Sequence, residues 1–179
     1  DITGRKNAEA LRESLVHLSR KNRYEAIIGS VTRSVHQSID LQQVLDNAVN
    51  SMSDNIDTLQ RVEIFLVEGD EAVLKAHKKM PEWFFQRVKR LPYGRGSTWK
   101  TIIEGKSNYV ADTDNDQAIG LAGRQIGTKS YVSMPIFSDG KAVGALNITS
   151  ENKNAFDEEE QKLLEIVARQ IETAINNAR

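Results

Sequence analysis

The spacing of the apolar residues constrains the fold most strongly, because it changes from helical near both ends of the chain to alternating in the middle. Two seams with spacings of three and four residues are formed by Leu11, Leu15 and Leu18 near the N-terminus and by Val167, Ile171 and Ala174 near the C-terminus. Between these seams, Val62, Ile64 and Leu66 alternate with their neighbours. A helix repeats about every 3.6 residues and a strand about every two. We therefore predict an α+β fold in which helices pack on an antiparallel sheet.

Local signals indicate where these elements begin and end. Asp40 and Asp157 each precede an apolar helical pattern and are predicted N-caps, and Gly105 is a predicted C-cap. The elements predicted in this way are helices over residues 1–36, 40–53, 81–91, 98–104 and 157–179, and hairpins over 62–77 and 129–150. In the first helix the seam loses phase near Asn22, which predicts a phase break or bend between its two halves.

Composition excludes several classes of function. The 179 residues carry 24 Lys plus Arg against 25 Asp plus Glu, a net charge of -1, with no basic face, so we expect no nucleic-acid partner. No apolar run is long enough to cross a bilayer, and we expect a cytoplasmic fragment without membrane contact. Because the chain opens on Asp1 rather than Met, we expect a piece of a longer protein, which could be membrane-associated as a whole.

No catalytic or metal-binding signature is found along the chain. The count of zero Cys removes disulfides, thiolate metal sites and cysteine nucleophiles. The Gly94-Arg95-Gly96 segment lacks the third glycine of a dinucleotide fingerprint. Residues 112–116 alternate oxygen-bearing side chains like a calcium loop, but Gln117 stands where such a loop needs Gly. We therefore expect no metal site and no enzyme.

A series of segments resembles the GAF domain, a small-molecule sensing module of signalling proteins. These segments are residues 62–67, 91–99, 109–112, 130–136 and 143–148, in that order. The opening Asp1-Ile2-Thr3 resembles the end of a PAS domain, in which this tripeptide closes the last strand. The resemblance implies a PAS end and linker helix over residues 1–21 and a GAF domain with a C-terminal signalling helix over 22–179. Such junctions belong to multidomain sensors of the histidine kinase or cyclic-dinucleotide enzyme type.

The resemblance also implies a ligand pocket on one face of the sheet, beneath the short helices. The residues expected to line it are Ser97, Trp99, Asp112, Ala118, Ile119, Tyr131 and Ser133. Alternatively, Trp99 and Tyr131 simply fill the core and leave a small or dry cavity. The ligand is unknown: covalent bilin attachment and methionine sulfoxide reduction, as found in other GAF proteins, need cysteines, whereas a cyclic nucleotide is one candidate.

We therefore predict a non-catalytic regulatory domain that binds a small molecule and passes a change in helix packing to an output domain. The two helical seams predict a parallel homodimer with all six of their residues near its axis. The alternative prediction is a structural dimerisation or spacer module with a degenerate, empty pocket.

Overall fold

Six α-helices and six strands make up the computed structural model, which describes residues 1–38 and 40–178. The helices are α1 (Ile2–Gln37), α2 (Leu41–Asn55), α3 (Glu82–Val88), α4 (Gly96–Glu104), α5 (Leu121–Gln125) and α6 (Glu158–Asn177). The strands are β1 (Arg61–Glu68), β2 (Glu71–Lys78), β3 (Arg90–Pro92), β4 (Asn108–Val110), β5 (Ser130–Ser138) and β6 (Lys141–Ser150). This architecture confirms the predicted α+β fold.

The strands form a single antiparallel sheet in the order β3-β2-β1-β6-β5-β4. Both predicted hairpins are present, and the second turns at Asp139 and Gly140, which have φ angles of 52° and 74°. Two positive φ values in a two-residue turn match the twist of the strands on either side. The two hairpins are joined through β1 and β6, where Ile64 pairs with Leu146.

The two faces of the sheet are covered by different helices. Val62 and Ile64 of β1 are fully buried against the core shared with α1, α2 and α6. Phe65 points to the opposite face and packs in a second, smaller core with Phe84 of α3 and Trp99 of α4. Because side chains alternate along a strand, β1 contributes to both cores at once.

The helix ends follow the predicted caps. The Asp40 side chain accepts a hydrogen bond from the Gln42 amide, and Asp157 and Glu160 form a reciprocal capping box at the start of α6. Gly105 ends α4 with a φ of 63°, a left-handed conformation that glycine adopts without strain. Three short elements, β3, β4 and α5, were not predicted, because segments of three to five residues carry too little periodicity to be recognised.

Helix α1 continues through Asn22 as one 36-residue helix. The change of seam phase lies close to Tyr24, where α1 begins to pack on the domain. Residues 2–19 are exposed along their whole length. Asp1 is the N-cap of this helix and Thr3 lies inside it.

The two seams have opposite environments. Leu11, Leu15 and Leu18 are 61%, 56% and 52% exposed. The other three predicted dimer residues, Val167, Ile171 and Ala174, are buried inside the chain, because this side of α6 covers the sheet and contacts α1 and α2. These three side chains are therefore not available to a second copy, which corrects their placement at a dimer axis.

Among the described residues, no helix combines the length and the apolar composition that a bilayer crossing requires.

Candidate functional site

A cavity of about 220 Å³ lies between the sheet and the layer that contains α3, α4 and α5. Its floor is the face of β1 that carries Arg61, Glu63 and Phe65. Its walls come from the second half of α3, the start of α4 and residues 119–123 around the start of α5. The lining residues come from three separate stretches of the chain, 61–65, 84–98 and 119–123, which the fold brings together.

A buried ion pair forms the floor of this cavity. Arg61 Nε lies 3.1 Å from Glu63 Oε2, and both side chains are less than a tenth exposed. The Asn147 amide donates to the other oxygen of Glu63 at 3.1 Å. The guanidinium carbon of Arg61 is 4.2 Å from the centre of the Phe84 ring, which places the cation over an aromatic face. The pair is thus held from several sides, as a buried charge requires.

Hydrogen bonds connect this floor to the segment that follows α5. Arg61 Nη1 donates to Thr128 Oγ1 at 2.8 Å and to Gln60 Oε1 at 3.0 Å. Gln60 Nε2 in turn donates to the carbonyl of Ile126 at 3.0 Å. These hydrogen bonds link Arg61 to the loop between α5 and β5, directly through Thr128 and through Gln60 to Ile126.

Asn147 connects the floor to the start of α4. Its amide nitrogen also donates to Thr98 Oγ1 at 3.0 Å, and its oxygen accepts from Ser133 Oγ at 2.6 Å. All three side chains are buried. This network fixes the first turn of α4 against β6 and β5, directly beside the cavity.

The seven predicted pocket residues divide into two groups. Ser97 and Ile119 line the cavity. Trp99 does not line it: its indole nitrogen donates to the Leu91 carbonyl at 2.9 Å, and the ring packs in the second core. Tyr131 is also buried, and its hydroxyl donates to Asp116. Burial and this carboxylate raise the pKa of Tyr131 above its ordinary value, so the phenol stays protonated.

Three more predicted residues, Asp112, Ala118 and Ser133, lie outside the cavity. Ser133 is held in the Asn147 network, and the amides predicted as ligand donors, those of Ala118 and Ile119, already donate to the Asp116 carboxylate at 3.2 and 3.1 Å. Asp112 caps a short 3-10 turn, in line with a structural role.

Two carboxylates of the calcium-like segment 112–116 form ion pairs with a lysine side chain. The Lys153 ammonium lies 3.3 Å from Asp112 and 2.7 Å from Asp114. Its hydrogen bond lowers the pKa of the Asp114 carboxyl below the ordinary value. A lysine therefore occupies the position that a cation would take.

The charged residues of the floor were missed by the sequence analysis. Glu63 and Phe65 were treated as part of a core strand. A carboxylate in an otherwise apolar strand indicates a buried charge that needs a partner, and this signal was available in the sequence. The partner Arg61 stands two residues earlier, on the same face. Because side chains alternate between the two faces of a strand, residues 61, 63 and 65 were predictable as neighbours on one face of β1.

Larger hollows lie elsewhere on the described residues. Three border α1, with volumes of about 570, 420 and 380 Å³, and one of about 310 Å³ lies between β5 and α6. In the hollow of about 570 Å³ two arginines are already paired, since Arg20 lies 2.9 Å from Glu159 and Arg23 contacts Asp57. The cavity on the sheet is enclosed by three separate elements above a buried ion pair, and we take it as the candidate site.

Comparison with known families agrees with this fold. A family model described as a GAF domain matches residues 38–176. The chain belongs to the GAF domain family. The resemblance inferred from the sequence is thereby confirmed for the GAF part.

Two proteins of Bacillus subtilis are similar to this GAF domain in sequence. Protein YtsP is 35% identical over 86 residues, which are 48% of this chain and 52% of that protein. The sensor histidine kinase YhcY is 26% identical over 172 residues, which are 89% of this chain and 44% of that protein. The chain spans about half the length of these relatives. The similarity to YhcY supports a regulatory sensor domain in a signalling protein.

Solved structures with the same fold include both a sensor and enzymes. A putative GAF sensor protein from Burkholderia vietnamiensis has a TM-score of 0.79 and 19% identity, covering 89% of this chain and 98% of that one. The free methionine-R-sulfoxide reductase of Neisseria meningitidis, solved with its substrate, has a TM-score of 0.77 and 24% identity, covering 87% and 90%. The expectation that the chain is not an enzyme is therefore corrected, because this fold also supports catalysis.

Proposed function

We propose that this GAF domain is the small-molecule sensor of a longer signalling protein, and that a ligand in the sheet cavity changes how α1 and α6 pack. The observation that carries the proposal is the double role of β1. Its Arg61 and Glu63 form the cavity floor, while Val62 and Ile64 between and beside them pack against the helix layer. A ligand that moves the floor of the cavity thus acts on the helices through a single strand.

The flanking helices provide a route out of the domain. Helix α1 continues beyond the packed region for about 18 exposed residues, or roughly 27 Å at 1.5 Å per residue. Its packed half contacts α6 through Tyr24, whose hydroxyl donates to Glu160 at 2.9 Å. A ligand with different affinities for two packings of α1 and α6 shifts the population between them. An output domain joined to these helices, as in a sensor histidine kinase, would receive that shift.

A ligand screen by thermal unfolding tests the sensor proposal. The panel contains cyclic mononucleotides and dinucleotides, purines, haem, amino acids, small acids and free methionine-R-sulfoxide, and loss of the last compound is measured separately as a test of catalysis. A ligand at 100 times its dissociation constant adds about 2.7 kcal/mol to the free energy of unfolding. For a chain of this size the melting temperature then rises by roughly 5–11 °C.

A cavity-blocking variant makes the screen specific to the site. Gly120 lines the cavity, and a Cβ added there meets no atom within 4 Å, so Gly120→Phe places a ring at the cavity without a clash near the backbone. Ala10→Phe, on the exposed part of α1, is the matched control. We expect Gly120→Phe to abolish the ligand shift and Ala10→Phe to retain it. A shift that survives in both variants would place the ligand elsewhere and refute the proposal.

A second proposed function, dimerisation, has its own supporting observation. Leu11, Leu15 and Leu18 form an exposed apolar seam with coiled-coil spacing, and we propose that it joins two copies in parallel. Leu15→Lys is expected to convert a dimer into a monomer in sedimentation experiments, whereas Val16→Lys, an exposed residue off the seam, leaves the dimer intact. A monomeric wild-type protein would refute this proposal. A dimer with no ligand in the screen would favour a structural spacer.

A further inference from the structure

The charges around the sheet cavity are unbalanced. Of the described residues that line it, three carry a guanidinium group, namely Arg61, Arg87 and Arg95, and one carries a carboxylate, Glu63. Both oxygens of Glu63 already accept hydrogen bonds, from Arg61 and from Asn147. The guanidinium of Arg95 makes no hydrogen bond or ion pair within residues 1–38 and 40–178. The cavity therefore has a surplus of positive charge, which favours an anionic ligand.

Arg61 retains one open donor at the floor. The residue is 5% exposed, and its Nε and Nη1 atoms are engaged by Glu63, Gln60 and Thr128. No hydrogen bond within the described part of the chain uses Nη2, although the side chain lines the cavity. Nη2 is not among the buried polar atoms without a partner, so it is accessible to solvent. An oxygen atom of a ligand in the cavity can therefore accept a hydrogen bond from it.

The start of α4 adds backbone donors on the same side of the cavity. The amides of Gly96, Ser97 and Thr98 open a nine-residue helix and have no partner within it. No side chain caps this helix, and its first turn contains no acidic residue. The same three residues line the cavity. Helix N-termini favour negative charge, so these amides reinforce the preference set by Arg61.

The size and walls of the cavity limit the rest of the ligand. Phe65, Phe84 and Leu91 give the cavity apolar walls. A volume of about 220 Å³ holds about seven non-hydrogen atoms if each takes the ~30 Å³ of a water molecule. A cyclic nucleotide has far more atoms than this and would extend beyond the cavity in this conformation.

We propose that the cavity binds a compact organic anion whose charged group contacts Arg61 and the first amides of α4, and whose short apolar tail lies against Phe65 and Phe84. The inference rests on the proposed sensor function and specifies its ligand class. Carboxylate and phosphate groups share the chemistry that these donors recognise. Arg95 at the rim attracts the anion, because its charge has no partner within the described residues.

Calorimetric titration of the full chain with matched probes tests this ligand class. Valerate, valeramide and pentylamine have nearly the same shape but carry negative, zero and positive charge, and propyl phosphate presents the alternative anionic group. We expect at least one of the two anions to bind at least tenfold more tightly than valeramide, and pentylamine not to bind. The preferred anion tells whether the donors recognise a carboxylate or a phosphate.

Three variants assign that binding to the cavity. Arg61→Lys keeps the charge but loses the planar fork, and we expect roughly a ten- to hundredfold weaker binding of the anion. Arg95→Gln removes an exposed charge at the rim and should weaken binding by about two- to fivefold, with a smaller effect at high salt. Arg90→Gln removes the same charge outside the cavity, from a residue paired with Glu71, and should leave binding unchanged.

The possible outcomes separate this inference from the proposed sensor function. Equal binding of valeramide or pentylamine at the cavity would overturn the anion class and leave the sensor proposal standing. If neither anion binds while another compound in the wider screen does, the anion class is likewise overturned and the sensor proposal stands. An equal effect of Arg90→Gln and Arg95→Gln would show that the anion responds to overall charge and would overturn the site. If Arg61→Lys does not fold, the weaker binding of the anion by Arg95→Gln and its salt dependence test whether the anion binds at the cavity.

Discussion

Replacing Tyr24 by Phe removes a single buried donor and keeps the ring that packs between α1 and α6. The Tyr24 hydroxyl donates to Glu160 Oε1 at 2.9 Å, and Glu160 is 4% exposed. A hydrogen bond to a charged group contributes about 1.5–3 kcal/mol to stability. At neutral pH the variant should therefore lose about that much free energy of unfolding. The melting temperature should fall by roughly 3–12 °C for a chain of this size.

The effect of this variant should depend on pH. Burial raises the pKa of Glu160 above its ordinary value of 4.5, and the hydrogen bond from Tyr24 opposes that rise. The folded protein thus holds the Glu160 proton more tightly than the unfolded chain, so its stability falls as pH rises from about 4.5 through the folded pKa. Without the hydroxyl this pKa is higher still. The difference in stability between variant and wild type therefore grows as pH rises from the folded pKa of the wild type to that of the variant, and it is constant above both.

Urea unfolding at a series of pH values measures this difference. Tyr93→Phe is the matched control, because Tyr93 is 64% exposed and its ring contacts Trp99 while its hydroxyl has no hydrogen bond within the described residues. The control should change stability by less than about 0.5 kcal/mol. A loss in Tyr24→Phe no larger than in Tyr93→Phe, or a loss that increases towards low pH, would refute the reasoning.

Three further changes have expected outcomes that urea unfolding can check. Gly144→Ala should destabilise the fold by about 1–3 kcal/mol, because its Cβ would lie 2.2 Å from the Phe65 carbonyl oxygen and push β6 away from β1; an unchanged midpoint would contradict this. Gly29→Ala in α1 should stabilise by about 0.8–1 kcal/mol through helix propensity, and a loss would show that close packing there requires glycine. Arg61→Met should cost about 3–5 kcal/mol by leaving Glu63 buried without its cation, and adding Glu63→Gln should recover part of that loss; a double variant no more stable than Arg61→Met would argue against an ion-pair role.

The candidate site was predictable in location but not in composition. The short helices over the sheet were expected to cover it, and Ser97 and Ile119 do line the cavity. Trp99 and Tyr131 were expected either to line the cavity or to fill the core, and Trp99 is oriented into the core, where its indole donates to Leu91. Whether an aromatic side chain packs or lines a cavity depends on what lies opposite it, and nothing in its local sequence carries that information.

The sequence by itself determined the elements whose signals are local. Asp40, Asp157 and Gly105 mark helix ends because capping hydrogen bonds and left-handed backbone involve residues within a few positions of each other. The two long hairpins and the α+β class follow from alternation and turn residues in the same way.

Only the tertiary structure decided which surfaces meet. The seam of Val167 and Ile171 has the same spacing as that of Leu11 and Leu15, but one is buried in the chain's own core and the other is exposed. The pairing of β1 with β6 joins residues about 80 positions apart and places Glu63 beside Asn147. Burial and long-range pairing arise when distant segments exclude water from each other, so periodicity can identify an apolar face without identifying its partner.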